Sequence, residues 1–253
     1  MKKNITFYAL ALAAGALAAP ASAQDAATPE VPASAFTLNG GATLVSDYRF
    51  RGISQTNRKP AVQGSLTVGH SSGFYATVWG SSIDDYVAAG SDQEIDLVGG
   101  YKTTFGATTV DVGATYYIYP GACCDTDTNF IEPYVAVSQA FGTVTAKVLA
   151  AYAPKQKGLS IGNGSEDSLY LAGDLTTTIP NTSFGLAAHL GHSFGPSYLT
   201  IGKGYTDWSL GGTYAWKNLA FGLSYVDTNK SLAGPTGKNL AGSGVVASLG
   251  VAF

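Results

Sequence analysis

The sequence predicts an all-β fold, a transmembrane antiparallel up-and-down β-barrel of about twelve strands. Three observations favour it. Apolar residues alternate with polar or small ones in twelve segments, and the connections between the segments alternate between short and long. The composition is 45% hydrophobic and only 12% charged, yet the apolar runs are brief. A strand with one face toward lipid and the other toward a lumen has this composition.

The chain opens with a pattern typical of a secretory signal peptide. Lys2-Lys3 precedes an apolar run from Ile5 to Ala19, and Ala21-Ser22-Ala23 has the small-x-small pattern of a cleavage site. We therefore expect residues 1–23 to be removed by cleavage near Ala23. The run is too short for a transmembrane helix, which needs roughly 20 apolar residues. Residues 24–35 are rich in Ala, Pro and Thr, which predicts a disordered periplasmic lead-in.

Twelve strands are predicted in residues 36–253. Their ranges are 36–48, 61–70, 74–83, 94–103, 108–119, 129–139, 143–152, 168–179, 183–192, 205–216, 219–227 and 244–253. Most are close to the roughly 9 to 11 residues of a tilted transmembrane strand. In one of them Val110, Val112 and Ala114 alternate with Asp111 and Gly113, which is a period of two and indicates a strand.

The connections alternate strictly in length. Tight turns are predicted at Ser71-Ser72-Gly73, Phe105-Gly106, Phe141-Gly142, Pro180-Asn181 and Lys217-Asn218, and long polar loops at 49–60, 84–93, 120–128, 153–167, 193–204 and 228–243. Outer-membrane barrels have short periplasmic turns and longer outside loops. We therefore predict that the loops centred near residues 54, 89, 124, 160, 198 and 236 are extracellular.

Aromatic residues mark the end of the barrel and its membrane interfaces. The last predicted strand ends on Phe253, which resembles the C-terminal aromatic signature that bacterial barrels present to their assembly machinery. Trp208 and Trp216 lie on one face at opposite ends of a strand, the spacing of two interfacial girdles, with ordinary packing as the alternative. The expected partners are outer-membrane lipid, lipopolysaccharide and the barrel-assembly machinery.

Three parts of the chain carry family-like motifs. They are Ser46–Thr56 (SDYRFRGISQT) with Pro60–Gly64, Tyr116–Ala122 with Asn129–Tyr134, and Tyr205–Gly211 with Gly222–Asn229. Together they resemble the TorF family, a family of porin-like outer-membrane proteins. The resemblance covers most of the mature chain and implies an outer-membrane barrel with a transport role. It implies no substrate and no catalytic residues.

Charged residues on the face opposite the apolar one are predicted to line the lumen. They are Asp47, Arg49, Glu94, Asp96, Asp111, Glu132, Lys147, Asp174, His189 and Asp207, with Tyr117 beside Glu132 and within reach of Glu94. Seven acids against two bases predict a negative lumen. Centring the seventh and eighth predicted strands on the loop that connects them places Lys147 opposite Asp174. Twelve strands give a backbone radius of about 12 Å, which allows a narrow pore and leaves a plugged lumen open as an alternative.

These features favour a narrow passive channel for small hydrophilic, preferentially cationic solutes, with no enzyme activity, cofactor or metal. Without Lys2 and Lys3 the chain has 12 basic and 17 acidic residues, a net charge of −5, which disfavours a nucleic-acid partner. One alternative is a hydrolase with Asp84, Asp85, His192 and Asp207 at the barrel mouth. Another is a structural or adhesive barrel.

The two cysteines, Cys123 and Cys124, are neighbours in one predicted loop. In an oxidising compartment they either form a vicinal disulfide or stay available to a partner. A redox or metal site is the functional alternative, although no histidine lies nearby in sequence and two adjacent thiols seldom complete such a site. Because a bridge between neighbours closes almost no chain, we expect it to stabilise the fold little.

Overall fold

The computed structural model describes residues 34–162 and 164–253. The predicted signal peptide, residues 1–23, lies outside the described residues, and so does all but the end of the predicted lead-in, residues 24–35. Within the described part of the chain, no helix has the length and apolar character needed to cross a membrane.

Residues 34–162 and 164–253 contain fourteen strands, and twelve of them form a closed barrel. The strands are β1 (Phe36–Val45), β2 (Arg49–Phe50), β3 (Ile53–Ser54), β4 (Ala61–His70), β5 (Phe74–Ser82), β6 (Gln93–Phe105), β7 (Thr108–Ile118), β8 (Phe130–Phe141), β9 (Val144–Gln156), β10 (Glu166–Thr178), β11 (Phe184–Phe194), β12 (Tyr205–Trp216), β13 (Leu219–Thr228) and β14 (Gly244–Ala252). Two short 3₁₀ turns, Lys157–Leu159 and Tyr198–Thr200, lie in loops. The predicted fold class is confirmed.

Every barrel strand pairs antiparallel with its neighbours, and β1 closes the ring by pairing with both β4 and β14. At the closure Gly41 lies opposite Ala252, and the backbone of Gly40 exchanges two hydrogen bonds of 3.0 Å with Phe253. Closure satisfies the backbone groups of both edge strands, which lipid could not do.

The outer face of the barrel is apolar, as the alternation predicts. Large side chains such as Leu38, Val62 and Leu210 point outward and are exposed. Of the predicted interface aromatics, Trp216 is 52% exposed and Phe253 75% exposed, while Trp208 is partly exposed on the same outer face. A surface of this kind is stable only when lipid covers it.

The first long connection departs from the prediction. The predicted strand 36–48 ends at Val45, and residues 46–60 turn into the barrel instead of forming an extracellular loop. The residue at the centre of that predicted loop, Ser54, is completely buried. The physical reason is that the polar groups of this stretch find hydrogen-bond partners inside the barrel, as described next.

Candidate functional site in the barrel lumen

Ser46–Pro60, called the inserted segment below, leaves β1, crosses the lumen and returns to β4. Its centre is the hairpin β2–β3, in which Phe50 pairs with Ile53. The two-residue turn Arg51-Gly52 has positive φ at both positions, 46° and 79°. These values are typical of a type I′ turn, which suits a tight hairpin and favours glycine at the second position.

Polar contacts within the inserted segment hold it as a unit. The Asp47 carboxylate accepts hydrogen bonds from Arg49 Nε at 2.6 Å, Ser54 Oγ at 2.6 Å and Thr56 Oγ1 at 3.2 Å. Arg49 Nη1 also donates to the Leu240 carbonyl oxygen at 3.2 Å. The prediction has both Asp47 and Arg49 pointing inward, with Asp47 on the first strand and Arg49 directly after it. They lie instead beyond its end and pair with each other, because the segment folds back on itself.

The hairpin tip is joined to the barrel wall through Arg51. Its Nη2 donates to both carboxylate oxygens of Glu132 at 2.7 Å. The guanidinium also lies over the rings of Tyr170, at 4.1 Å from the centroid, and Phe50, at 4.8 Å. Arg51 was not among the predicted site residues. Gly52 is the sequence signal that could have revealed it, since glycine is favoured in two-residue hairpin turns.

Gly52 lies directly against the wall on the other side of the tip. A Cβ atom at this position would collide with the side chains of Thr228 and Asp207. The positive φ and the close approach both require glycine here. The tip therefore fits against Thr228 and Asp207 only with glycine at position 52.

Aromatic side chains pack the inserted segment into the outer half of the barrel. Tyr48 packs on Trp79 with ring centroids 5.5 Å apart, and Phe50 meets the Tyr117 ring edge-on at 6.0 Å. Tyr117 in turn stacks on Phe130 at 4.3 Å. These residues are buried or partly buried, so the outer half of the lumen is packed rather than open.

The long loops close over the inserted segment. The Tyr86 hydroxyl donates to the Ser54 carbonyl oxygen at 2.5 Å, and burial raises the pKa of Tyr86, which keeps the phenol protonated as a donor. Across the mouth, the Tyr198 hydroxyl donates to the Val87 carbonyl oxygen at 2.6 Å. Leu240 is fully buried against Ile53. The loops that carry Tyr86 and Leu240 thus pack on the inserted segment, and Tyr198 joins a third loop to the first of them.

On the side of the short turns, the hairpin tip borders a cavity in the lumen that is open to solvent. Its ionisable lining residues are Arg49, Arg51, Asp111, Glu132, Lys147, Asp174, His189 and Asp207. Eight of the eleven predicted lumen residues, Tyr117 among them, thus line this space, and Asp47, Glu94 and Asp96 do not. Tyr117, Tyr134 and Tyr170 add aromatic surface.

One wall of the cavity carries a row of paired charges from β9 to β12. Lys147 lies opposite Asp174 in the register, as predicted, with Nζ and Oδ2 3.9 Å apart. His189 lies between two carboxylates, with Nδ1 2.7 Å from Asp174 and Nε2 2.9 Å from Asp207. A histidine donates to both only when both ring nitrogens carry protons. The Tyr170 hydroxyl adds a hydrogen bond of 3.1 Å to Asp207.

A second group of charges lies nearer the short turns. Lys102 Nζ is 3.3 Å from Asp111, which also accepts a 2.7 Å hydrogen bond from the Tyr75 hydroxyl. Lys102 was not among the predicted lumen residues, although the alternation of its strand places it inward. With Arg51 and Lys102 added, the lumen has seven acidic and four basic side chains besides His189, a net charge of −3 instead of −5.

Glu94 and Asp96 also point inward, from β6, but they do not line the cavity. They are 2% and 5% exposed, because Tyr48 of the inserted segment covers them. Tyr117 is likewise buried, and its hydroxyl donates to Glu132 at 3.2 Å. Glu94 and Asp96 thus point inward as predicted but are buried and do not line the cavity, whereas Tyr117 does line it.

The residues of the alternative hydrolase site do not meet. His192 pairs with Thr206 in the register and points outward, where its Nδ1 lies 2.8 Å from Thr206 Oγ1. Asp207, one residue further on, points inward, so the β-sheet separates the two side chains. Asp84 is at the rim, 3.2 Å from Lys59 Nζ.

Cys123 and Cys124 are joined by a disulfide in the exposed loop between β7 and β8. The Cys123 amide donates to the Ala89 carbonyl oxygen at 2.7 Å, which joins this loop to the preceding one. Over residues 34–162 and 164–253, no three His, Cys, Asp or Glu side chains are grouped so that they could hold a metal ion.

Comparison with known proteins supports the fold. The NanC porin aligns with a TM-score of 0.56 at 14% identity, over 86% of this chain and 99% of that chain. A membrane protein solved in work on in-meso crystallization aligns with a TM-score of 0.54 at 8% identity, over 85% of this chain and 83% of that chain. At these identities the likeness shows the barrel fold alone. No curated protein matches the chain.

A family model matches residues 29–251, which is nearly the whole chain. This family has a different name from the TorF family, so TorF remains a family that the chain resembles. The chain belongs to the family described as bacterial protein of unknown function (Gcw_chp).

Proposed function

We propose that the protein is a porin-like channel of the outer membrane that passes small hydrophilic solutes, and that the inserted segment sets the width of the passage. The observation that carries the proposal is the charged, solvent-connected cavity inside a closed barrel whose outer face is apolar. A barrel in lipid needs the apolar exterior, and a polar lumen is what a hydrophilic solute needs.

Residues 1–23 act in this proposal as a cleaved signal peptide, and the barrel inserts through the outer-membrane assembly machinery. The TorF resemblance and the exposed aromatic Phe253 support this route. Outer-membrane lipid and lipopolysaccharide are the proposed surroundings. The exposed apolar side chains along every strand need such a cover.

The inserted segment is the proposed constriction. It contacts the wall at Tyr48, Phe50, Arg51 and Gly52, so it spans the lumen from β6 to β13. A solute that enters from the loop side has to pass beside this segment or displace it. We therefore expect the single-channel conductance of the wild-type protein to be low.

The proposed solute preference is for cations. Fixed carboxylates in a narrow passage raise the local cation concentration and oppose the entry of anions. Most lumen carboxylates are paired with basic side chains, and the unpaired Glu94 and Asp96 do not line the cavity, so the preference should be modest.

A structural barrel is the second candidate function, and the packed outer half of the lumen favours it. Planar-bilayer recording of the purified protein separates the two. Small but reproducible current steps, which become larger in a variant with a displaced inserted segment, support the channel function. Absence of conductance in the wild type and in the displaced variant supports the structural barrel.

A further inference from the structure

An apolar patch lies on one wall of the cavity, on β8, β9 and β10. Its residues, called the lumen patch below, are Tyr134, Ala136, Leu149, Ala151 and Ala172. The register makes the patch continuous, because Leu149 pairs with Ala136 on one side and with Ala172 on the other, and Ala151 pairs with Tyr134. Contact with this patch removes apolar surface from water, so the cavity favours a solute that has an apolar face.

Tyr134 supplies the aromatic part of the lumen patch, and its position is fixed. Its hydroxyl is hydrogen-bonded to the Tyr75 hydroxyl. A Cβ atom at Gly113 would collide with the Tyr134 side chain, so the ring lies against the barrel wall at this glycine. Tyr170 borders the patch on β10, but the Arg51 guanidinium covers its ring. Tyr134 is partly exposed and is therefore the one of the two rings that a solute in the cavity can reach.

Hydrogen-bonding groups with unused capacity lie beside the lumen patch. Lys147 and Asp174 are the next inward positions along β9 and β10, with Cα atoms about 7 Å from those of Leu149 and Ala172. Lys147 Nζ and Asp174 Oδ2 are 3.9 Å apart, which is too long for a hydrogen bond. The hydrogen bond between Asp174 and His189 uses the other carboxylate oxygen, Oδ1. The pair therefore presents one donor group and one acceptor group to the cavity.

The charges that line the cavity are balanced. Four carboxylates line it, and so do three basic side chains and His189, which is a cation when it donates to two carboxylates. An ion of either sign thus meets a like charge beside each opposite one. A neutral solute with hydroxyl groups meets no such repulsion, because a hydroxyl donates to a carboxylate and accepts from an ammonium group.

We propose that the lumen patch and the Lys147–Asp174 pair bind a neutral saccharide ring of monosaccharide size. The inference rests on the proposed channel function, since it names the class of solute that the passage takes. A pyranose ring has C–H groups on its faces and hydroxyls around its edge. The C–H face packs on Tyr134 and Leu149, and two neighbouring hydroxyls bridge Lys147 Nζ and Asp174 Oδ2. The cavity is open to solvent and has room for several water molecules, whose place the ring takes.

Ligand-observed NMR tests the proposal on the purified protein, in micelles of a detergent without a sugar headgroup. The probe is D-glucose, because the ring substituents of its β-pyranose form are all equatorial and leave two C–H faces. We expect saturable transfer of magnetisation from the protein to the ring protons. Sorbitol carries similar hydroxyl groups on a flexible open chain and should bind at least about fivefold more weakly.

Tyr134→Ala should weaken the binding of D-glucose at least about tenfold, because it removes the ring that the C–H face contacts. Tyr134→Phe keeps the ring and should bring the affinity back to within about threefold of the wild type. Lys147→Met removes the ammonium group and should weaken binding about tenfold. Tyr116→Ala is the matched control and should leave binding unchanged, since Tyr116 is an exposed tyrosine on the outer face of β7.

Absence of saturable D-glucose binding, or equal binding by the wild type, Tyr134→Ala and Lys147→Met, would overturn the proposal. Tighter binding of tyramine or D-glucuronate than of D-glucose would also overturn it, because the site would then prefer a charged solute. Heat-modifiability on gels confirms that each variant is folded. If Tyr134→Ala does not fold, Lys147→Met gives the same two outcomes.

Planar-bilayer recording separates this inference from the proposed function. Conductance without D-glucose binding in micelles contradicts the saccharide site alone. Binding of D-glucose without conductance contradicts the channel and leaves the site in place.

Discussion

Arg51 of the inserted segment and Glu132 of β8 form a buried ion pair across the lumen, although 81 positions separate them in the sequence. Both side chains are almost completely buried, and the Arg51 guanidinium also stacks on Tyr170. Breaking such a pair on one side leaves an unpaired charge in a poorly solvated place. The pair is therefore the point at which the inserted segment is most sensitive to substitution.

Glu132→Gln should loosen the inserted segment. Removing one partner of a buried pair costs about 3 to 5 kcal/mol, and Arg51 can recover hydration only if the segment leaves the wall. We expect a larger single-channel conductance in planar bilayers and a lower unfolding midpoint. Asp84→Asn is the control, since the exposed Lys59–Asp84 pair is worth no more than about 1 kcal/mol. Equal conductance and equal midpoints for the wild type and Glu132→Gln would contradict the assignment.

Gly52→Ala should displace the hairpin tip. Alanine at φ +79° costs about 1 kcal/mol, and its Cβ also collides with Thr228 and Asp207. Gly237→Ala is the matched control, because Gly237 has φ +76° but open space around a Cβ. We expect increased conductance for Gly52→Ala alone. A similar change in both variants would mean that backbone strain, not the close approach, is responsible.

Reversal potentials should show a modest preference for cations at 0.1 M salt. The preference should weaken at 1 M, where the Debye length falls from about 10 Å to about 3 Å. Asp174→Asn should reduce the preference and Lys147→Gln should increase it, because each removes one member of the same cavity pair. Anion preference in the wild type, or shifts of the same sign in both variants, would show that these charges do not face the permeating ions.

Single cysteines should report the position of the loops on intact cells, in a background with Cys123 and Cys124 replaced by serine. A cysteine at Gly237 should react with a membrane-impermeant label, since this residue lies in the exposed part of the loop between β13 and β14. A cysteine at Ser54 should be protected in spite of the length of its connection, because this position is buried. Rapid labelling at Ser54 would show that the inserted segment lies outside the barrel.

Replacing Cys123 and Cys124 by serine should leave membrane insertion and heat-modifiability unchanged. Their disulfide closes almost no chain, and chain-entropy stabilisation grows with the length of the closed loop. The comparison of folded fractions with and without reductant measures the effect in the wild type. A large loss of folded barrel in the serine variant would give the pair a structural role that its local closure does not predict.

Much of the barrel could be predicted because the relevant signals are local. The period of two in Val110–Ala114 assigns faces to the strand, and the short turns bring successive strands into register. Lys147 was correctly predicted to lie opposite Asp174, because the register of two neighbouring strands follows from the length of the loop between them. The predicted facing ends of β9 and β10 were less accurate. The two strands stay paired as far as Gln156 and Glu166, beyond the alternation of apolar and polar residues from which the strands were predicted.

The number of barrel strands, their order and the face of each strand that meets lipid could all be predicted, because they depend on periodicity and turn chemistry. The filling of the outer lumen by Ser46–Pro60 and the pairing of Arg51 with Glu132 follow only from the folded barrel. These contacts join residues far apart in the chain, and no local pattern specifies them. A polar stretch between two strands has the same local sequence pattern whether it lies outside the barrel or inside it. The hydrogen-bond and ion-pair partners inside the closed barrel decide that this stretch lies inside.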